Sequence, residues 1–327
     1  MGAFTYIQWC RRTFNSWRGC KKISSGCAHC YAAAGAPRNP KVLGKWGGEE
    51  SGTRIVAAEA GWKAVHKWDR EAKESGTYDR VFCGSWMDIC EEWHGPMLDA
   101  KKEVIRINEE LGYWSTSPNA KGLKFDRDLT MDDVRERLFI DSIAVTPNLD
   151  WLLVTKRPER YRYVLPWLTQ HAGQYRDRYW ENVWVGTTVE DRAAKTRIDI
   201  LREIPAVIRF LSVEPLLEDL GELNLTGIHW VIVGGESGPK ARPCNLAWIR
   251  SVMRQCKDAG VPAFCKQLGS HVITRNDELG EWPEPFGHHE SERYQGAPVR
   301  VRVSDSHGGD PAEWPEDLRV REMPRTR

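Results

Sequence analysis

The chain has 327 residues, 41% hydrophobic and 28% charged, enough for one large globular domain or two ordinary ones. A formal charge of +1 excludes a chain that is a polyelectrolyte throughout, so any nucleic-acid contact needs a local basic patch. No apolar run approaches the roughly 18 residues of a membrane span, and the N-terminus lacks a signal peptide's apolar core, so no membrane association and a cytoplasmic location are expected.

In chain order, the first feature is a cysteine loop. Residues 15–32 read NSWRGCKKISSGCAHCYA, placing Cys20, Cys27 and Cys30 in a C-x6-C-x2-C pattern. Thiolates are soft ligands that suit iron–sulfur clusters or zinc. A C-x2-C pair lets two sulfurs reach one centre, and the longer loop returns the third to it. Gly19 and Gly26 precede the first two cysteines and free the backbone to wrap closely. Three cysteines would leave one iron of a 4Fe–4S cubane without a cysteine ligand, open to a substrate or cofactor. A structural zinc would need a fourth ligand, either His29 or a distant cysteine. The remaining cysteines, Cys10, Cys83, Cys90, Cys244, Cys256 and Cys265, are scattered, and disulfides are not expected. Cys20, Cys27 and Cys30 are the expected metal ligands, with the cluster favoured over zinc and both over reduced structural thiols.

A Gly-rich stretch from Pro37 to Gly52 leads into a predicted helix over Ala57 to Lys73. RVFCGSW (80–86) is the first of six short β-rich runs. The others are WLLVTKR (151–157), NVWVGTTV (182–189), VIRFLSVEP (207–215), HWVIVGGES (229–237) and PAFCKQLG (262–269). Asp88, Glu91, Glu92 and His94 read as a solvated helix start, Asp88 being the best exception, and residues 113–130 as a loop insertion. Helices are predicted at 131–139, Pro158 to Thr169, Glu190 to Ile204, and Leu246 to Gly260, the last capped by Asn245. Strands that are apolar almost throughout fit a parallel sheet buried on both faces, and strand–helix alternation implies a parallel α/β fold. Each strand ends in polar residues, which converge on one point only if the strands form a ring. The expected fold is therefore α/β, a TIM-like parallel β/α barrel over residues 1–269, incomplete or irregular forms included. Residues 270–327 read as a C-terminal extension packed on the barrel by Trp314 and Leu318, with His288 and His289 exposed.

The strand ends supply the other candidate site residues. Lys156, Glu214 and Lys266 are the candidate catalytic groups. Gly234, Gly235, Glu236 and Ser237 offer a carboxylate and open backbone N–H groups to a ligand, with Arg242 and Glu190 beside them in that role. Alternating charges around one rim can bind a zwitterion such as S-adenosylmethionine (SAM), or they can satisfy one another as a salt-bridge ring.

N-x-x-R-G-C followed by C-x2-C-Y-A resembles the cluster loop of radical SAM enzymes, particularly the spore photoproduct lyase-like branch. Asn15, Arg18, Gly19, Cys20, Cys27, Cys30, Tyr31 and Ala32 match it. Six residues stand between the first two cysteines where that branch has three, and the Gly-Gly-Glu at 234–236 follows a late strand rather than an early one. RVFCGSWMDICEEW, LLVTKRPERY, NVWVGTTVED, IRFLSVEPLL, WVIVGGESGPKARP, FCKQLG and GGDPAEWPEDLRVRE together resemble a phage and prophage family of unknown function. That family is known for a three-cysteine motif and is often found with a three-Cys-motif partner protein. The two resemblances imply a 4Fe–4S cluster, SAM as a second cofactor, a nucleic-acid or nucleotide substrate, and a location in the host cytoplasm if the chain is phage-encoded. Two rival readings stand beside this one. One is a non-SAM iron–sulfur protein for electron transfer, sensing or nucleic-acid binding. The other is a zinc-stabilised barrel hydrolase or nuclease using Asp88, Glu190 and Glu214.

Overall fold

Runs of β-branched, aromatic and leucine side chains form strands buried on both faces, and these strands build one large parallel sheet in a mixed α/β fold. The computed structural model describes residues 5, 7–117, 122–168, 180–275, 298–301 and 303–325. They fall into two units, Met1–Ile23 with Cys30–Trp184, and Ser24–His29 with Val185–Arg327.

In the first unit, β1 (Arg12–Phe14), β2 (Asp79–Cys83) and β3 (Leu149–Thr155) lie in that order. Both pairings are parallel, with Arg12 opposite Val81 and Val81 opposite Trp151. Helix α1 (Glu59–Ser75) buries Trp62, Val65, Trp68 and Ala72, a spacing that keeps one stripe on the core. It ends at Gly76, whose left-handed φ of 64° favours glycine. Phe14 packs edge-on against both Trp62 and Trp151, with ring centroids 5.1 and 5.9 Å apart. Helix α2 (Met131–Leu138) starts in a reciprocal capping box between Thr130 and Asp133.

β4 (Val183–Thr188) begins in the first unit and ends in the second. There, β5 (Ile208–Val213), β6 (Trp230–Gly234) and β7 (Ala263–Gln267) follow, with β5–β6 and β6–β7 parallel. Helix α3 (Thr196–Arg202) precedes β5, and α4 (Leu246–Asp258) precedes β7. Asn245 caps α4 by accepting from the Ala247 N–H at 2.9 Å. The chain beyond 303 returns to β7, where Cys265 donates to the Val320 carbonyl and Glu322 to that of Ala263, both at 2.9 Å. Trp314 and Leu318 are fully buried in this unit.

Among the described residues, strand order in the sheet equals strand order in the chain, with no switch point of the doubly wound kind. Among the described residues the sheet has seven strands rather than the eight of a TIM barrel. Four readings change. β1 is a strand that the sequence pattern does not reveal, because only three residues of it pair. Residues 88–94 form no helix, and Glu91 there is buried rather than solvated. Part of the 113–130 stretch pairs as strands, Tyr113–Ser115 and Arg127–Asp128 flanking Arg106–Asn108 in a small antiparallel sheet. The helix expected from Pro158 is a single short turn at Tyr161–Val164 after a 3-10 segment, and its predicted end at Thr169 lies outside the described residues, as do His288 and His289. No helix among the described residues is long and apolar enough to cross a membrane.

Candidate metal centre

The cysteine loop follows β1, and in the first unit the segment after β2 receives it. Gly19 has φ +114°, and a Cβ there would lie 2.3 Å from the Thr53 carbonyl oxygen, so only glycine fits. The Asn15 side chain ties the loop to residues 85–86. Its amide donates to Ser85 Oγ at 2.8 Å, and its carbonyl accepts from the Trp86 N–H at 2.7 Å. Tyr31 donates to the Ser85 carbonyl at 2.6 Å. Asn15, Gly19 and Tyr31, which carry the radical SAM resemblance, therefore all serve to seat the loop.

The peptide after Cys20 is gripped from both sides. Glu91 Oε1 accepts the Lys21 N–H at 2.7 Å, and Arg157 Nη2 donates to the Lys21 carbonyl at 2.9 Å. Glu91 is itself held by Arg54 through Nε and Nη2 at 2.7 and 2.6 Å, and both side chains are essentially buried. The Arg54 guanidinium lies over the Trp93 ring, 4.1 Å from its centroid. Arg157 Nη1 donates to Asp88 Oδ2 at 2.6 Å and approaches Cys20 Sγ at 4.0 Å. Asp88 also accepts from Thr155 Oγ1, from the Cys90 N–H and from the Lys156 N–H, at 2.6, 3.0 and 3.2 Å. Of the cations after β3, Arg157 reaches Asp88 with its side chain. Lys156 contributes its backbone N–H.

Burial pushes the Cys20 thiol well above the usual thiol range. Glu91 and Asp88 add to this, while Arg157 opposes it. A metal centre at Cys20 must displace that proton.

The second unit holds residues 24–29 by a parallel device. Glu236 accepts from Arg242 through Nη2, Nε and the backbone N–H at 2.6, 2.9 and 2.9 Å, and His29 Nδ1 lies 3.1 Å away. Arg242 Nη1 also donates to the Ser25 carbonyl at 3.0 Å. Burial raises the Glu236 carboxyl, but these donors outweigh it and hold the group below its ordinary value. Glu190, fully buried, pairs with Arg197 at 2.7 Å and accepts the Ser24 hydroxyl. A Cβ on Gly26 would meet the Glu190 side chain at 3.1 Å, so the loop lies directly on that carboxylate. Glu214 pairs with Lys266 at 2.8 Å. Gly235 donates its N–H to the Gln267 carbonyl at 3.0 Å, and a Cβ there would lie 2.2 Å from the Leu268 carbonyl oxygen. Gly234 is likewise packed against Gln267, and Ser237 is half-buried. The Gly235 N–H expected to be open to a ligand is thus used within the sheet, and the two glycines permit the close approach of β7.

The nine cysteines divide cleanly. Cys10, Cys83, Cys90, Cys244, Cys256 and Cys265 are buried, whereas Cys20, Cys27 and Cys30 keep partly accessible surfaces. Among the described residues no group of three or more His, Cys, Asp or Glu side chains is arranged as a metal site. By donor chemistry, three thiols with accessible surface suit a soft-metal or iron–sulfur centre. Sequence reasoning missed Arg54 and Arg157 as supports of this loop. The Lys-Arg pair after β3 was a usable signal for Arg157, and none existed for Arg54.

A family model described as "Protein of unknown function (DUF5131)" matches residues 4–114 and 119–310. No curated protein and no solved structure matches the chain.

Proposed function

The chain belongs to this family, and from that premise we infer that Cys20, Cys27 and Cys30 hold a 4Fe–4S cluster in a radical SAM-like enzyme acting on a nucleic acid or nucleotide. The observation that carries the reading is the division of the cysteines. The three that share eleven residues of loop keep accessible surface, while the six scattered ones are buried. A thiol that is to bind an external inorganic group needs such surface, and a structural thiol does not. When bound, the cluster would supply an electron for cleaving SAM at an iron that no cysteine occupies.

The protein's own contribution is positioning. Arg157 and Glu91 fix the peptide next to Cys20, and Arg242 and Glu190 fix residues 24–26. Lys156, Glu214 and Lys266 are the proposed groups near the substrate, and Glu190, Gly234, Gly235, Glu236, Ser237 and Arg242 are the proposed surroundings of SAM. The sequential strand order supports reading the sheet as the wall of an incomplete TIM-like barrel. The proposed setting is a cytoplasm, that of the host if the chain is phage-encoded. The three-Cys-motif partner protein is the proposed binding partner, tested by co-purification of the two tagged chains.

Anaerobic reconstitution with iron and sulfide tests the cluster. The expected product is brown, has a broad visible absorbance shoulder and carries about four irons per chain. Each of the substitutions Cys20→Ala, Cys27→Ala and Cys30→Ala should abolish it. Reduced protein given SAM should release 5′-deoxyadenosine. Release of none, with no change in the cluster's EPR signal on adding SAM, would leave an iron–sulfur protein without radical chemistry. One observation favours a second reading: the His29–Glu236 contact is the carboxylate–histidine arrangement that orients zinc-binding imidazoles. Colourless protein with stoichiometric zinc, lost in His29→Ala, would establish that reading and overturn the first.

A further inference from the structure

Charge is distributed very unevenly along the chain. The first 48 residues contain eight Lys and Arg and no Asp or Glu, so they carry +8 while the remaining 279 carry −7 of the net +1. Arg11 and Arg12 pair with Asp79, and Arg18 faces the Trp86 ring. The other five, Lys21, Lys22, Arg38, Lys41 and Lys45, are exposed. The next acidic residues along the chain are Glu49, which accepts the His94 N–H at 2.8 Å, and Glu50.

The fold of the first unit gathers these stretches. A Cβ on Gly19 would touch the Thr53 carbonyl at 2.3 Å, and one on Gly44 would touch Thr53 Oγ1 at 2.4 Å, so the segments carrying Lys21 and Lys41 to Lys45 flank one residue. Between them in the chain, Tyr31 is 59% exposed, yet its hydroxyl is anchored on the Ser85 carbonyl. An anchored, open aromatic ring within a basic segment is a feature on which unpaired bases stack.

We propose that this basic segment is a binding surface for single-stranded nucleic acid, with the five cations on successive phosphates and Tyr31 stacked on a base. The cations are spread over several short elements rather than gathered around one pocket, which fits a strand better than a mononucleotide. The proposal names the substrate class of the function above and depends on that function only for the chemistry the strand would undergo.

Fluorescence anisotropy of the full chain, without cluster or SAM, against a labelled single strand of about 20 nucleotides tests it. Five phosphate contacts give a log–log salt slope of about −3.5, so raising salt from about 50 to about 200 mM should weaken binding about a hundredfold. Arg38→Ala/Lys41→Ala/Lys45→Ala should reduce the slope to about −1.4. Lys73→Ala/Lys257→Ala, which removes two cations outside the segment, should leave it unchanged. Tyr31→Leu should weaken binding about tenfold at an unchanged slope, and Tyr31→Phe should retain most of it. No binding at low salt, an unchanged slope in the triple variant, or equally tight binding of a duplex of the same sequence would overturn the proposal. Iron content is read separately, so failure of strand binding and failure of the cluster are distinguishable.

Discussion

Arg157 and Arg242 do the same task in the two units, and the difference between them lies in how far each is withdrawn from water. Each bridges a carboxylate near a strand end to a carbonyl of the cysteine loop, Asp88 and Lys21 for one, Glu236 and Ser25 for the other. The Arg157 and Asp88 side chains are only 10% and 9% exposed, and behind them stands the Arg54–Glu91 pair at 0% and 1%. Arg242 is 28% exposed, while its partner Glu236 is 7% exposed, so the two clamps differ at the cation rather than at the carboxylate. Geometry is thus conserved between the two clamps while dielectric surroundings differ. A buried pair depends on both partners, because either one left alone is a charge without water or counter-ion. Where the cation is partly solvated its loss costs less, because water, the His29 ring and the backbone N–H of residue 242 take up part of its place at Glu236.

The contrast is best broken at Arg54. Arg54→Leu strands a buried Glu91 and should destabilise the protein by about 3–5 kcal/mol in urea denaturation, whereas Arg54→Leu/Glu91→Leu should recover much of that. A single variant no worse than Arg242→Leu would remove the distinction. Arg157→Leu should come next, at about 2–4 kcal/mol, since Asp88 keeps three neutral donors. Gly19→Ala should cost about 1–3 kcal/mol through its positive φ and the Thr53 contact, measured as a fall in melting temperature.

Glu236→Gln should cost about 1 kcal/mol at neutral pH, and its pH dependence sharpens the comparison. The folded-state pKa is depressed, so the carboxylate's contribution is fully present above the unfolded value of about 4.3 and is lost as pH falls through the lower folded value. The stability gap between wild type and variant should close across that acidic window. The smallest effect is expected at Lys67→Ala, which removes an exposed i,i+4 pair with Glu71 and should stay within about 0.5 kcal/mol.

These pairs also show where the sequence was legible. Apolar runs with helix signals between them revealed β2 to β7, and Asn245 with Gly260 bounded α4 to within two residues, because those signals are local. β1 escaped because three paired residues make no period. Glu91 read as solvated because its environment comes from Arg54, 37 positions upstream, and from Lys21, 70 upstream. A charge's burial is a property of its distant neighbours, so no window around residue 91 contains it. The cysteines stood out for the opposite reason: their spacing is itself local.

The grip on the Lys21 peptide separates two kinds of constraint. Glu91 takes its N–H and Arg157 its carbonyl, so the attachment next to Cys20 is made wholly through main-chain atoms. Proline, lacking the N–H, is the residue this arrangement forbids. For any other residue the anchoring is indifferent to the side chain, which leaves position 21 open to evolutionary exchange without cost to the loop. The chain can therefore retune the surface beside Cys20 while the scaffold that presents the thiol stays as it is.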